Sequence, residues 1–345
     1  KIIWRGLQLI WGFDENYPEL LILEMAADHP GDIAHLVSIA PCNTAVITAI
    51  GASHLEFFKN IEGVKKEKEV LVSHLSESDT AILNEDDDLV VDMKKNIKSK
   101  IFTFGFFETA DLRALDFSYI TTNEGDFSNL AFKITYQGNT IPVRLKNALA
   151  KSHIYSFLAA VAVGLQYDFN LLDLVNKLQN FKPPVGRMNL IDGIKKTKLI
   201  DDTYNSSPKA AVAALEVLAK LYTPARKIAI LGDMLELGAA SESEHRQVGK
   251  KVFELGIDIL VCVGERSRDI LRGAQEAGMN KDKIFHFSET ESAGKFIQDR
   301  LEQQDLILIK GSQGIRMEKI TKELMAEPLR AKELLVRQSE EWLAK

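Results

Sequence analysis

Cysteine is scarce in this chain. Cys42 and Cys262 are its two thiols, far apart and without a C-x-x-C pair, which argues against a disulfide framework and a thiolate metal site. Both sit in apolar, strand-like runs and read as buried structural thiols. No apolar run approaches the ~18 residues that a membrane span requires. An excess of positive charge is missing too. The 43 Lys and Arg stand against 49 Asp and Glu, a formal net charge of −6, so no basic stripe offers itself to nucleic acid. No signal peptide is evident, and the glycosylation-like triplet Asn205-Ser206-Ser207 reads as chance. The phosphate-loop pattern G-x-x-x-x-G-K-S/T is absent; Gly249-Lys250-Lys251 and Gly294-Lys295-Phe296 both fail it. G-x-S-x-G, H-E-x-x-H and G-x-G-x-x-G are absent as well, as are internal repeats and low-complexity segments.

What is present is an ordinary globular composition, 46% hydrophobic and 27% charged, in 345 residues, a length that suggests two domains. The chain opens on Lys1 and soon enters the strand-like run 19–24, so we expect its first residues to lie within a domain, with further sequence upstream. Runs 20–23, 44–50 and 80–83 read as buried strands, and 31–40 and 63–75 between them as helices, a rhythm that implies a parallel sheet covered by helices. Segments 131–136 and 140–145, joined by Gln137-Gly138-Asn139, read as an antiparallel hairpin, followed by an Ala-rich helix at 152–164. Pro183-Pro184-Val185-Gly186 breaks the pattern and marks a boundary. Beyond it, strands are expected at 199–200, 227–231, 259–263, 283–287 and 306–309. Helices are expected at 210–221, 244–255, 267–277, 293–301 and 317–324. The class is therefore α/β, with domains at 1–183 and 184–330, the second Rossmann-like, and a charged helical tail at 331–345.

Polar groups collect where strands end. Asp201-Asp202-Thr203-Tyr204-Asn205-Ser206-Ser207-Pro208 follows Leu199-Ile200 and precedes a helix. Two carboxylates, a phenol and an amide in one strand-to-helix loop suit a charged or polyhydroxylated ligand, and open α/β sheets bind ligands there. The same loop would also serve as an ordinary helix cap. Glu24 closes the run 20–23, and His54 follows the run 44–50. The pair suits a divalent cation, although imidazole is unusual for Mg²⁺, and on these residues alone loop capping by Glu24 and a local hydrogen bond of His54 outweigh that reading. Lys65, Lys66 and Lys68 read as a solvated helix face. Lys310-Gly311-Ser312 could cradle an anion, a weak signal alone.

Several ordered motifs give the chain a recognisable resemblance. Asp201-Asp202-Thr-Tyr-Asn-Ser-Ser-Pro208 is close to a DDxYNANP signature. Leu231-Gly-Asp-Met-Leu-Glu-Leu-Gly238 with His245-Arg246 is close to LGDMLELG…HR. Leu23-Glu24-Met25 with Pro30-Gly31 resembles LEMGxxxPGEI, the segment 50–56 resembles INxxxAHLE, 63–68 resembles GIAxAK, and Lys310-Gly311-Ser312 resembles KGSR. Together these resemble the Mur ligase family, most closely its MurF branch. The resemblance implies a partial central ATP-binding domain followed by a Rossmann-like C-terminal domain, with the UDP-binding domain and phosphate loop upstream of Lys1.

It further implies an ATP-dependent ligase that joins D-alanyl-D-alanine to UDP-N-acetylmuramoyl-tripeptide through an acyl phosphate, in the cytoplasm, as a monomer, with ATP and Mg²⁺ as cofactors. Carried over by position, Glu24 and His54 are Mg²⁺ ligands, and Lys68 matches a lysine that the family carbamylates into a third. Asp202, Tyr204, Asn205, Arg187 and His153 fall to the nucleotide, and Lys310, Gly311, Ser312 and Asp233 to the substrate. The chain departs from the pattern where Ser152-His153 replaces a His-Asn pair tied to adenine recognition. Ser206-Ser207 replaces Ala-Asn, and Gln313 replaces an arginine. The readings left open are an active ligase, a Mur-ligase-like binder without ATP chemistry, and another ligase such as a folylpolyglutamate ligase. Lacking a phosphate loop, the chain as given is not expected to turn over ATP.

Overall fold

A computed structural model describes residues 19–51, 55–120, 129–146 and 148–344. The first half contains α1 (Asp32–Ile39), β1 (Thr44–Ile47), α2 (Leu55–Phe58), α3 (Ile61–Ser73), β2 (Thr80–Asn84), α4 (Asp88–Asp92) and β3 (Lys100–Gly105). It continues with β4 (Leu112–Ile120), β5 (Asn129–Tyr136), β6 (Asn139–Lys146), α5 (Lys151–Gln166) and α6 (Leu171–Leu178). The second half contains β7 (Asn189–Asp192), β8 (Lys198–Asp202), α7 (Pro208–Lys220), β9 (Lys227–Gly232), α8 (Ser241–Glu254), β10 (Ile259–Val263) and α9 (Arg268–Ala277). Then come β11 (Ile284–Phe287), α10 (Thr290–Arg300), β12 (Leu306–Lys310), α11 (Glu318–Leu324), α12 (Ala331–Leu334) and α13 (Glu340–Leu343).

The strands form two sheets of six. The first runs β1-β2-β3-β4-β5-β6, parallel through β4 and antiparallel from there. The second runs β11-β10-β9-β12-β8-β7, with only β7 antiparallel. Helices cover both faces of the parallel part of each sheet, which is why β2 and β12 are buried at every position and read as unbroken apolar runs. The pleat still sorts their side chains. Leu306 and Leu308 join the core beneath α7 and α8, while Ile307 and Ile309 join the core that receives α10 and α11.

Local chemistry explains several boundaries. Asn60 accepts from the Gly63 amide and caps α3, and Pro208 opens α7, where its missing N–H costs no hydrogen bond. The β5–β6 hairpin turns on Gln137 and Gly138, both with positive φ (46° and 78°), as a two-residue turn matched to strand twist requires. Helices α8 and α9 meet through glycine: a Cβ on Gly249 would lie 1.9 Å from the Ile270 carbonyl oxygen.

Three expectations are corrected. Residues 20–23 form no strand. They pair with no neighbour among the described residues, and Ile22 is 78% exposed; an apolar run becomes a strand only where a ladder receives it. Cys42 is half-buried in the loop before β1, its Sγ 3.7 Å from His74 Nε2, whereas Cys262 is fully buried in β10. Lys65 is no solvated lysine: it is buried in an ion pair with Asp92, whose carboxyl is held down to about 2 by hydrogen bonds from Lys65 and Lys95. The sequence reading also misses β3, β4 and β7. Strand β4 carries a bulge at Asp116 (φ 55°) that breaks its alternation. Among the described residues no helix is long and apolar enough to cross a membrane.

The halves touch where the candidate loops lie. Leu149 and Ala150, just before α5, pack into the second half's core, and Tyr119 packs against the cores of both halves.

Candidate functional site

Strands β8, β9 and β12 are adjacent and parallel, so their carboxyl ends open together. Register sets Lys310 beside Asp202 on one side and Leu231 on the other. Three segments separated in sequence thereby meet: Asp201–Ser207, Gly232-Asp233 and Lys310-Gly311-Ser312. Lys310 Nζ donates to Asp202 Oδ2 at 2.6 Å and to the Asn205 carbonyl at 2.9 Å. The other Asp202 oxygen accepts from the Met188 amide at 3.2 Å. Ser312 Oγ accepts from the Leu235 amide (2.9 Å) and donates to the Ser206 carbonyl (3.3 Å). Gly311 is required by contact: a Cβ there would stand 2.6 Å from Met317 Cγ and 3.2 Å from Gly232 Cα.

Asp233 is buried, its Oδ1 accepting from the Ser267 amide at 2.7 Å, and it ties β9 to the loop after β10. His245 reaches back from α8 to the same turn. Its Nε2 accepts from the Met234 amide (3.0 Å) and its Nδ1–H donates to the Ser241 carbonyl (2.7 Å), a neutral tautomer that burial favours by lowering its pKa. Asp201 is fully buried and its carboxyl is pushed up to about 7 by desolvation, against hydrogen bonds from Thr321 and Thr203.

The groups left exposed are Arg187, Tyr204 and Asn205. The Arg187 guanidinium lies over the Tyr204 ring, 4.1 Å from its centre. His153 turns inward instead. It is 6% exposed, its Nδ1 accepts weakly from the Ala150 amide, and its ring also bonds to the Arg187 backbone. Burial lowers it to about 4, so the ring is neutral. Thus Asp202, Asp233, Lys310 and Ser312 are buried supports, and Arg187, Tyr204 and Asn205 are the groups that a ligand can meet.

A second group belongs to the first sheet. Glu24 is exposed, and Lys68 is half-buried on α3. Burial draws the Lys68 ammonium below its usual range, while the nearby Glu24 charge opposes that shift. Next to it in sequence, Glu67 fixes the start of α1 by accepting from the Gly31 and Ile33 amides, each at 2.8 Å. His54 lies outside the described residues. Among the described residues no three His, Cys, Asp or Glu side chains gather as a metal site.

Asp87 links the two halves of the chain, and sequence reasoning missed it. Its Oδ1 caps α4, and its Oδ2 accepts from the Ile50 amide (3.1 Å), just before Gly51. The same oxygen lies 3.7 Å from Lys209 Nζ, at the start of α7. The available signal was the acidic run Glu85-Asp86-Asp87-Asp88 directly after β2, a strand end like the others.

Comparison with known proteins gives this geometry a context. The Mur ligase middle domain matches residues 6–164, and the Mur ligase glutamate ligase domain matches 186–313. The UDP-N-acetylmuramoyl-tripeptide–D-alanyl-D-alanine ligase of Bacillus subtilis is 30% identical over 325 residues, 94% of this chain and 68% of that protein. The ligase of the same name from Escherichia coli is 30% identical over 308 residues, 88% of this chain and 64% of that protein. Among solved structures, MurF from Acinetobacter baumannii superposes with a TM-score of 0.75 at 29% identity, covering 86% of this chain and 62% of that one. The Thermotoga maritima MurF ligase in complex with ADP also gives 0.75, at 27% identity, covering 92% and 70%. The chain therefore spans about two-thirds of the length of these relatives.

Proposed function

The chain belongs to the Mur ligase family, and on that premise we propose that it serves an ATP-dependent peptide ligase of the MurF type. The reaction joins D-alanyl-D-alanine to UDP-N-acetylmuramoyl-tripeptide in cytoplasmic peptidoglycan synthesis. The γ-phosphoryl group of ATP passes to the tripeptide carboxylate, giving an acyl phosphate and ADP. The dipeptide amine then attacks the acyl carbon, and the tetrahedral intermediate loses phosphate to leave the amide. Such chemistry depends on positioning and on neutralising phosphoryl charge.

The observation that carries this reading is the convergence of the Asp202–Ser207, Gly232-Asp233 and Lys310–Ser312 loops at the carboxyl ends of three adjacent strands, in a chain whose relatives bear that name. Within it, Arg187, Tyr204 and Asn205 present the nucleotide-facing surface. Asp202, locked by Lys310, shapes the ribose end, and Gly311 and Ser312 hold the loop against which the dipeptide and the acyl-phosphate end are set. Residues 1–183 and 184–330 act as the two domains, with 331–345 as a tail.

Mg²⁺, when bound, would neutralise the transferring phosphoryl group. Glu24 and His54 would hold it, with Lys68 once carbamylated. The donors fit: Glu24 offers an exposed hard oxygen, and burial favours the neutral Lys68 amine to which carbon dioxide adds. A second reading, a binder without ATP chemistry, is favoured by His153. It stands where the family carries an adenine-recognising residue, yet it points into the protein.

Phosphate release by the full-length gene product, given ATP, Mg²⁺ and UDP-N-acetylmuramoyl-tripeptide, separates the two. Release that requires D-alanyl-D-alanine is expected. A folded protein that binds these compounds without releasing phosphate would establish the binder.

A further inference from the structure

A buried guanidinium is costly unless its hydrogen bonds are met, so its partners show what it holds. Arg337 lies in the C-terminal segment, beyond the residues matched by either family domain. Its side chain is 5% exposed and that of its counter-ion, Glu318, is 1% exposed. The Arg337 Nη1 donates to the Tyr204 carbonyl (3.2 Å), and Nη2 donates to the Thr203 carbonyl and to Glu318 Oε2 (2.8 Å). One planar fork thereby grips two successive carbonyls directly after Asp202, an arrangement that the single ammonium of lysine cannot reproduce.

The segment around it is built to keep that grip. Ala331 and Leu335 enter the core on the α10–α11 side of the second sheet. Val336 closes on Gly186, where an added Cβ would stand 2.7 Å from its Cγ1, and the Gly186 carbonyl accepts from the Tyr204 amide at 3.1 Å. Glu318 is held on its other oxygen by Arg316 (2.6 Å), which also donates to the Trp342 carbonyl (3.0 Å). The tail thus straps together the Pro183–Gly186 link, the start of α11 and the Thr203-Tyr204 peptides.

We propose that Arg337 is a positioning residue for the nucleotide loop, an inference that rests on the ligase reading above. It fixes the two peptides between Asp202 and Asn205 so that the exposed Tyr204 and Asn205 side chains face the nucleotide.

The test is ADP binding and steady-state kinetics of the full-length gene product carrying Arg337→Ala or Arg337→Lys, with circular dichroism and thermal melting to confirm folding. In Arg337→Ala the Kd for ADP and the KM for ATP should rise roughly 10-fold or more, the effect of losing charge-assisted hydrogen bonds. The KM for D-alanyl-D-alanine should stay near wild type, and added guanidinium ion should recover part of the loss. Arg337→Lys, which keeps the charge and the stem, should fold even if alanine does not, and should show the same split. Wild-type nucleotide affinity in a folded Arg337→Lys or Arg337→Ala variant would overturn the positioning role alone. A folded wild type that binds no nucleotide would overturn the ligase reading and this inference with it.

Discussion

Replacing Lys310 by methionine tests how the site is held together. The Lys310 and Asp202 side chains are 3% and 10% exposed, and their charged atoms lie 2.6 Å apart. Removing the cation strands a carboxylate whose one remaining hydrogen bond among the described residues comes from the Met188 amide, and frees the Asn205 carbonyl as well. Breaking a buried pair on one side costs about 3–5 kcal/mol. At about 2–4 °C per kcal/mol for a domain of this size, the melting temperature should fall by about 6–20 °C. Replacing both partners, Asp202→Asn with Lys310→Met, removes the stranded charge. The double variant should regain part of the loss, with a coupling of about 2–3 kcal/mol in a double-mutant cycle. Urea unfolding of the four proteins measures this directly. A Lys310→Met protein within about 1 kcal/mol of wild type, or a cycle without coupling, would refute the account of a locked loop. Nucleotide affinity of the double variant, once folded, then reports what the carboxylate contributes beyond stability.

Other expectations follow from single residues. His153 has a folded pKa near 4 against an ordinary 6.5, so between those values the unfolded chain takes up a proton that the folded chain refuses. Its contribution is intact above pH 6.5 and is lost as pH falls, by about 2 kcal/mol at pH 5; His153→Asn should lack that loss, and an equal wild-type-minus-variant difference at pH 7 and pH 5 would contradict it. Gly249→Ala drives a Cβ to 1.9 Å from the Ile270 carbonyl oxygen and should destabilise by about 3 kcal/mol or more. Gly256→Ala, at φ +67° with open space around it, should cost only about 1 kcal/mol, and a reversed order in urea melts would sink the packing argument. Lys68→Ala should lower ligase activity by about 100-fold or more, with partial recovery in added acetate, whereas full activity in Lys68→Arg would exclude a carbamylated metal ligand.

The second half was the more legible in sequence. Strands β8, β9, β10 and β12 are buried on both faces, so each announces itself as an apolar run between helical stretches, as does the half-buried edge strand β11, and the expected limits fall within a few residues of those observed. The hairpin was equally plain, because Gln137-Gly138 sits between two alternating segments. Strands β3 and β4 were not, since β3 begins with exposed residues and β4 is interrupted at Asp116. Residues 20–23 misled for the opposite reason: hydrophobicity alone does not supply a neighbouring strand. At the candidate site, residue types and motif order pointed to the loops that converge at the carboxyl ends of β8, β9 and β12, but not to which side chains face outward.

By itself, then, the sequence determined the α/β class, the strand-to-helix loops where polar groups collect, and the family resemblance, because those depend on local periodicity and on motifs contiguous in the chain. The tertiary structure alone decided that Lys310 is spent on Asp202, 108 residues away, that His153 points inward, and that Lys65 is buried against Asp92. It alone brought Asp87 and Arg337 to the loops that they hold. The physical reason is that the role of a charged side chain follows from its burial and its partner. Both are set by which strands and helices pack side by side, a matter on which neighbouring residues in the chain are silent.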